Sequence, residues 1–253
     1  MTADILGLAG KHALVLGGGQ GMGEETVLAL AAQGVRVAVA DRDVGRAQHV
    51  AAKAGPDALA LPVDVLDDAA LAATIAQADG QMDGIDILIN IVGLATFKPA
   101  LDLTGEDWDT DYRRNTRYVF LACQAFARAA IIRGRPGAIV MMSSMSGVRS
   151  ARGHAAYGVF KEGNANLTRT LAVEWASAGI RVNAITPGSI LVPSFPDSPE
   201  GRAFMKQSLV PMGRSGETRE ITGPMLFLVS DMGSYVTGHN LYVDGGWGAA
   251  NLF

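Results

Sequence analysis

Short apolar runs alternate along this chain with stretches of helical pattern, and that alternation leaves few folds open. The runs are His12–Gly17, Val35–Ala40, Ala58–Val63, Ile85–Ile89, Gly137–Met142, Ile180–Ile185 and Asn240–Val243. Between them, helices are expected over Glu24–Ala32, Asp43–Ala54, Asp67–Gln81, Thr104–Arg133 (one long helix), His154–Ala178 and Glu217–Ser230. The strand runs are apolar nearly throughout, as strands covered on both faces are. Strand and helix in repeated alternation build an α/β protein with a parallel sheet between helix layers. No linker-like segment, composition break or repeat period divides the 253 residues, so a single domain over 1–253 is expected. The irregular stretch is Leu191–Glu200, with three prolines, followed by a short helix near Gly201–Leu209. Its place just after a strand suits a substrate lid over 191–209; an ordinary surface loop is the alternative.

The first strand runs into Gly17-Gly-Gly-Gln-Gly-Met-Gly23, and the first helix follows at once. Amides at a helix start favour a pyrophosphate, and glycines let it come close. Gly17, Gly21 and Gly23, with Gln20 and Met22 between them, are therefore candidate dinucleotide contacts. Asp41 ends the second strand, where an acidic group can bond adenosine ribose hydroxyls. A solvated Asp at a strand end is the plain alternative.

Tyr157 and Lys161 stand four residues apart, on one face of a predicted helix. An ammonium beside a phenol favours the phenolate and lowers its pKa, and such a phenol can trade a proton with an alcohol or ketone. Ser144 follows the apolar run Gly137–Met142, which puts it at a strand's carboxyl end, where open α/β sheets bind ligands. Alone, the Tyr-x-x-x-Lys pattern is weak, since a half-buried tyrosine and a solvated lysine produce it too. His154, three residues before Tyr157, could face a substrate or the surface.

Charge and composition exclude several classes. The net charge is −4 with signs interspersed, so nothing suggests a nucleic-acid or membrane surface. The one cysteine, Cys123, lies in an apolar helix and reads as a buried structural thiol. The four histidines lack ligand spacing, and no metal is expected. The N-terminal stretch lacks a signal-peptide pattern, and a cytoplasmic location is the expectation. Asn166 sits in a glycosylation pattern but inside a predicted helix, and is taken as coincidence.

Taken together, the motifs resemble a classical short-chain dehydrogenase/reductase over nearly the whole chain. The cofactor loop is matched by Gly17, Gly21 and Gly23, the adenine-contacting pair by Asp64-Val65, and the asparagine turn by Asn90-Ile-Val-Gly93. Asn115, Ser144, Tyr157 and Lys161 match the catalytic tetrad. Arg181-Val-Asn-Ala-Ile-Thr-Pro-Gly188 matches the segment flanking nicotinamide, and Tyr242-Val-Asp-Gly-Gly246 the C-terminal signature. The resemblance implies a single-domain Rossmann fold, a doubly wound seven-stranded parallel sheet. It implies NAD(H)-dependent interconversion of a secondary alcohol and a ketone. Tyr157 is then the acid/base, and Lys161 tunes it and holds the nicotinamide ribose. Ser144 would hold the substrate oxygen and Asn115 a relay water. Asp41, Asn90, Gly93, Pro187, Gly188 and Ile190 would line the NAD site. Leu16, Ile91, Val92 and Val192 depart from the family: Leu16 stands for its Thr and Ile91-Val92 for the Asn-Ala of the asparagine turn, where apolar packing is expected to replace polar ties, and Val192 stands for a Thr that contacts the nicotinamide carboxamide, a role left to backbone groups near Ile190.

NAD(H) is expected over NADP(H), because a 2′-phosphate would stand against Asp41 and Gly18, Gly19 and Gln20 bring no base to meet it. Arg42 is the contrary residue, expected over the adenine or in solvent. An NADPH-dependent 3-oxoacyl thioester reductase and a non-catalytic dinucleotide sensor are the rival readings. The substrate class is open: Met142, Met145, Val148, Phe195 and Phe204 could line an apolar pocket for a cyclic, aromatic or steroid-like alcohol, or could be core. A homotetramer is the family's common assembly.

Overall fold

The computed structural model describes residues 4–193, 198–199 and 210–250. Seven strands form one sheet: β1 (His12–Leu16), β2 (Arg36–Asp41), β3 (Leu59–Pro62), β4 (Ile87–Asn90), β5 (Gly137–Met142), β6 (Ile180–Pro187) and β7 (Asn240–Val243). Their order is β3-β2-β1-β4-β5-β6-β7, and every neighbouring pair is parallel. The helices are α1 (Gly21–Ala32), α2 (Val44–Ala54), α3 (Asp68–Gln81), α4 (Gly105–Tyr112), α5 (Tyr118–Arg133), α6 (Met145–Val148), α7 (Ala155–Trp175) and α8 (Thr218–Val229). No helix among the described residues is long and apolar enough to cross a membrane.

Strand side chains alternate between two cores, as the period of two requires. Leu14, Leu16, Ala38, Ala40 and Leu88 pack with α3, α5 and α7 on one face. Ala13, Val15, Val37, Val39 and Ile89 pack with α1, α2 and α8 on the other. Both layers are apolar, which is why the runs in the sequence show no alternation. The order reverses between β1 and β4, and a crevice opens at the carboxyl ends of the strands on either side of that point.

Capping fixes where most helices begin. Asp43 accepts from the Arg46 amide, Asp67 from Ala69 and Ala70, and Thr104 forms a capping box with Asp107. α1 differs: Gln20 at its N-cap makes no side-chain cap bond. Its first amides stay available to an anion.

The long helix expected over Thr104–Arg133 is two helices joined by a π-helical turn, Arg113–Arg117. The cause is local. The Asn115 side chain donates to the Asp111 carbonyl (2.9 Å), the acceptor an α-helix would assign to the Asn115 amide. The ladder shifts by one, and the Tyr118 amide bonds Arg113, five residues back. α6 was also not expected; it is a single turn capped by Ser144. Cys123 is buried, as read from its helix, and burial pushes its thiol up to about 12.

Apolar packing does replace the family's polar ties. Leu16 is fully buried, Ile91 packs on one core and Val92 on the other. The Ile91 amide donates to the Leu16 carbonyl (3.0 Å), and the Tyr118 hydroxyl to the Val92 carbonyl (2.7 Å). Met142 and Met145 are buried, 4% and 3% exposed, as core residues are. Val148 is half-buried. Phe195, Phe204, the helix expected near Gly201–Leu209 and most of the expected lid lie outside the described residues.

Candidate active site

The glycine loop crosses the end of β1 and turns into α1. Gly17 has φ +89° and Gly21 φ +57°, conformations that side chains rarely adopt. A Cβ on Gly23 would stand 1.9 Å from the Gly17 carbonyl oxygen. Gln20 and Met22 flank Gly21 at the helix start. Val192 lies against the same loop, 3.5 Å from where a Cβ on Gly21 would be.

Asp41, 7% exposed, closes the loop from β2. Its Oδ2 accepts from the Gly19 amide (3.1 Å) and its Oδ1 from the Asp43 amide (2.9 Å). Arg46 adds an ion pair to Oδ1 (2.8 Å) and donates through Nη1 to Gln20 Oε1 (2.9 Å). The base at this carboxylate is therefore Arg46, not the neighbouring Arg42, whose residue is exposed. Arg46 is five residues past Asp41 in the chain, and the first turn of α2 brings it back to the end of β2. Asp64 and Val65 follow β3; Asp64 is exposed and caps its own turn at the Leu66 amide (2.9 Å), and Val65 is buried.

Across the switch point, Asn90 is the buried last residue of β4. Its Nδ2 reaches Cys123 Sγ (3.6 Å). Gly93 follows, and a Cβ there would come within 2.7 Å of Lys161 Nζ and 3.1 Å of Asn115 Oδ1. Only glycine leaves the lysine its place. Pro187 ends β6, the Gly188 amide donates to the Val243 carbonyl (2.9 Å), and Ile190 bridges to Gly216.

α7 carries Tyr157, Lys161 and Asn164 on one face, at spacings of four and three. Lys161 is 2% exposed, and its Nζ donates to the Met142 carbonyl at the end of β5 (3.1 Å). Its own carbonyl accepts from Ser143 Oγ (2.7 Å). Asn164 Nδ2 donates to the Asn115 carbonyl (2.8 Å) and to Met142 (3.3 Å), so one amide ties α7 to both the π-helical turn and β5. Asn164 was absent from the expected set, although it falls on the Tyr-Lys face one turn further on.

Asn115 uses its whole side chain structurally. Oδ1 accepts from the Leu94 amide (3.1 Å), and Nδ2 donates to the Leu94 and Asp111 carbonyls (both 2.9 Å). What it can offer a ligand is its backbone carbonyl. Beside it the buried Asp111 pairs with the half-buried Arg114 (2.5 Å), and its carboxylate also accepts from the Thr96 amide and hydroxyl.

The Ser144 hydroxyl lies close enough to the Tyr157 phenol to favour its ionised form, and the Lys161 ammonium sits 5.6 Å from the centre of the tyrosine ring. The expected lowering of the Tyr157 pKa is not found among the chain's own groups. Burial pushes the phenol above its ordinary value near 10.0; the Ser144 hydroxyl lowers it and the Asp111 charge raises it further. Lys161 is itself brought down to about 8 by burial. His154 meets Tyr157 edge-on at 5.4 Å and Phe97 at 5.5 Å, and its Nδ1 is 2.8 Å from Ser146 Oγ. Burial lowers its pKa, with Asp111 opposing.

A doubly wound sheet that brings serine, tyrosine and lysine to the crevice beside its switch point is the architecture of a dinucleotide-dependent oxidoreductase. The comparisons agree. The family model described as enoyl-(acyl carrier protein) reductase matches residues 17–248. D-threitol dehydrogenase of Mycolicibacterium smegmatis is 36% identical, over 95% of this chain and 94% of that protein. Galactitol 2-dehydrogenase (L-tagatose-forming) of Cereibacter sphaeroides is 37% identical, over 96% and 97%. The solved structure of 7α-hydroxysteroid dehydrogenase, complexed with NADH and 7-oxo glycochenodeoxycholic acid, superposes with a TM-score of 0.91 at 31% identity, covering 97% of each chain. The chain belongs to the classical short-chain dehydrogenase/reductase family, and it is an oxidoreductase that interconverts an alcohol and a carbonyl compound.

The buried lysine has a measurable signature. With its pKa at about 8 in the folded chain against 10.5 for a free lysine, the unfolded chain binds more protons between those values. Stability from this group is present above pH 10.5 and lost as pH falls through 8. Wild type should therefore gain on Lys161→Met by on the order of 3 kcal/mol across that window, read by denaturant melts. A difference that stays flat with pH would contradict a desolvated ammonium.

Proposed function

We propose that the chain is an NAD(H)-dependent dehydrogenase of small polyhydroxylated alcohols and their ketones. The observation that carries this reading is the Ser144–Tyr157–Lys161 arrangement, with Lys161 buried against the Met142 carbonyl. The dinucleotide side supports it: α1 starts without a side-chain cap, Gly23 stands where a Cβ would strike backbone, and Asp41 retains lone-pair capacity on Oδ2. Gly17, Gln20, Gly21, Met22 and Gly23 would hold the pyrophosphate, and Asp41 the adenosine ribose. Arg42, Asp64 and Val65 would flank the adenine. Asn90, Gly93, Pro187, Gly188 and Ile190 would flank the nicotinamide.

The bound dinucleotide supplies the hydride acceptor or donor. Tyr157 exchanges the hydroxyl proton of the substrate, and Ser144 bonds both the phenol and the substrate oxygen. Lys161 would bond the nicotinamide ribose, and its ammonium stands 5.6 Å from the centre of the phenol ring. The Asn115 carbonyl, fixed by Asn164, holds a relay water. With its pKa raised by burial, Tyr157 is a neutral acid in the chain alone, suited to protonating a ketone. Oxidation of an alcohol needs the phenolate and speeds up as pH rises.

The polyol assignment rests on what surrounds Tyr157. The Ser146–His154 pair adds hydrogen-bonding groups, and the apolar Met142 and Met145 are buried. D-threitol and galactitol dehydrogenases among the relatives support the same class. NAD(H) over NADP(H) rests on Asp41: two like charges ~4 Å apart cost about 4 kcal/mol at an effective dielectric of 20, reduced by exposure.

For assembly we propose the family's homotetramer, in the cytoplasm. The outer faces of α4, α5 and α7 present Trp108, Phe120, Val159 and Val173, each between 39% and 82% exposed. Closed symmetric assembly is the usual way to cover such faces.

One set of rates tests the chemistry. Turnover with C4–C6 polyols, a hydroxysteroid and a 3-oxoacyl thioester, each with NAD(H) and NADP(H), should be fastest for a polyol with NAD(H), by about tenfold or more over NADP(H). Tyr157→Phe should lose about a thousandfold or more in kcat while still binding dinucleotide. A preference for the thioester with NADPH would replace this reading with a reductase, and Tyr157→Phe retaining half its kcat would remove the acid/base. Light scattering at micromolar concentration should give a tetramer mass; a monomer would refute the assembly.

A further inference from the structure

Arg46 occupies a position the glycine-loop pattern does not account for. Its guanidinium spans two walls of the dinucleotide crevice, paired with Asp41 Oδ1 at 2.8 Å and donating to Gln20 Oε1 at 2.9 Å. Its Nε is buried without a hydrogen-bond partner, 4.0 Å from Asp43 Oδ2. The side chain is 33% exposed, so it borders both crevice and solvent. The packing around it is close: a Cβ on Gly19 would stand 2.6 Å from Asp41 Oδ2 and 2.9 Å from Arg46 Cβ. Loop, strand end and helix start therefore meet at one acid and one base.

We propose that Arg46 sets how strongly this site discriminates between dinucleotides with and without a 2′-phosphate. The proposal rests on the dinucleotide reading above. Asp41 divides its acceptors: Oδ1 takes Arg46 and the Asp43 amide, while Oδ2 takes only the Gly19 amide and keeps a lone pair for a ribose hydroxyl. With a 2′-hydroxyl bound, Arg46 stays on Oδ1 and meets the charge of Asp41. A 2′-phosphate would repel Asp41, and Arg46 is the base within reach of both. Releasing Gln20 gives up a bond to a neutral acceptor, and a bond to phosphate is stronger because both partners are charged. Arg46 thus offsets part of the repulsion by Asp41. The site keeps its preference for NAD(H), at a smaller ratio than Asp41 alone would impose.

The test measures binding rather than turnover. Dissociation constants of NADH and NADPH are taken by fluorescence titration of the full chain as wild type, Arg46→Met, Arg46→Lys, Asp41→Asn and the Arg46→Met/Asp41→Asn double variant. The ratio Kd(NADPH)/Kd(NADH) should rise about tenfold in Arg46→Met and recover substantially in Arg46→Lys. Asp41→Asn should lower the ratio below that of wild type, and the double variant should lose that gain. An Arg46→Met ratio within about twofold of wild type, with both affinities moving together, would show a merely structural role and overturn the proposal. Wild type binding neither dinucleotide would remove the dinucleotide reading itself, a result distinct from an unresponsive ratio.

Discussion

A lysine ammonium taken out of water is the constraint on which the centre of this molecule depends. Lys161 is buried, and among the described residues its acceptor is the carbonyl of Met142. Burying that charge is costly, and neighbouring elements are shaped to tolerate it. Gly93 lacks the Cβ that would collide with Nζ, Ser143 holds the lysine's own carbonyl, and Asn164 bonds the carbonyl that Lys161 uses. Through Asn164 the same arrangement reaches Asn115, and from there Asp111 and the loop at Leu94. The ends of β4 and β5, the π-helical turn and α7 are thus held by one polar network.

That network explains why the sequence was readable in some places and not in others. Strands covered on both faces announce themselves as apolar runs, so the seven strands and the parallel sheet could be read directly. The glycine loop was legible because the backbone conformations at Gly17 and Gly21, and the contact at Gly23, admit little else. The π-helical turn was not legible, since it arises from a side chain competing for a backbone acceptor while also clamping Leu94, twenty-one residues away in sequence. Arg46 was missed because its partner is chosen by how a helix start folds back on a strand end, and its neighbour Arg42 is nearer in sequence. The tyrosine's environment was misjudged for a related reason. Spacing places a lysine near a phenol but does not report that both are desolvated, and burial moves their pKa values in opposite directions.

The two halves of the crevice use charge differently. On the adenosine side, Asp41 and Arg46 neutralise each other at a partly exposed rim, where a ligand's own charge can tip the balance. On the catalytic side, Lys161 has no carboxylate partner among the described residues, and the buried Asp111 is paired with Arg114. Asp111 raises the pKa of Tyr157 and opposes the fall at His154, so this second ion pair, behind the asparagine turn, contributes to proton affinity at the site without facing the sheet crevice through a bond of its own. With these groups alone, the phenol stays protonated at neutral pH.

The central claim is that burial, opposed only in part by Ser144, holds Tyr157 protonated in the chain alone, and that a bound cationic nicotinamide would lower its pKa. Ultraviolet difference titration of wild type against Tyr157→Phe measures this directly, first on the chain alone and then with saturating NAD⁺. The account predicts a Tyr157 pKa above the ordinary value of 10.0 for the chain alone and a clear fall on adding NAD⁺. A phenol that already titrates below 10.0 without the dinucleotide, or one that does not move when it is added, would contradict it.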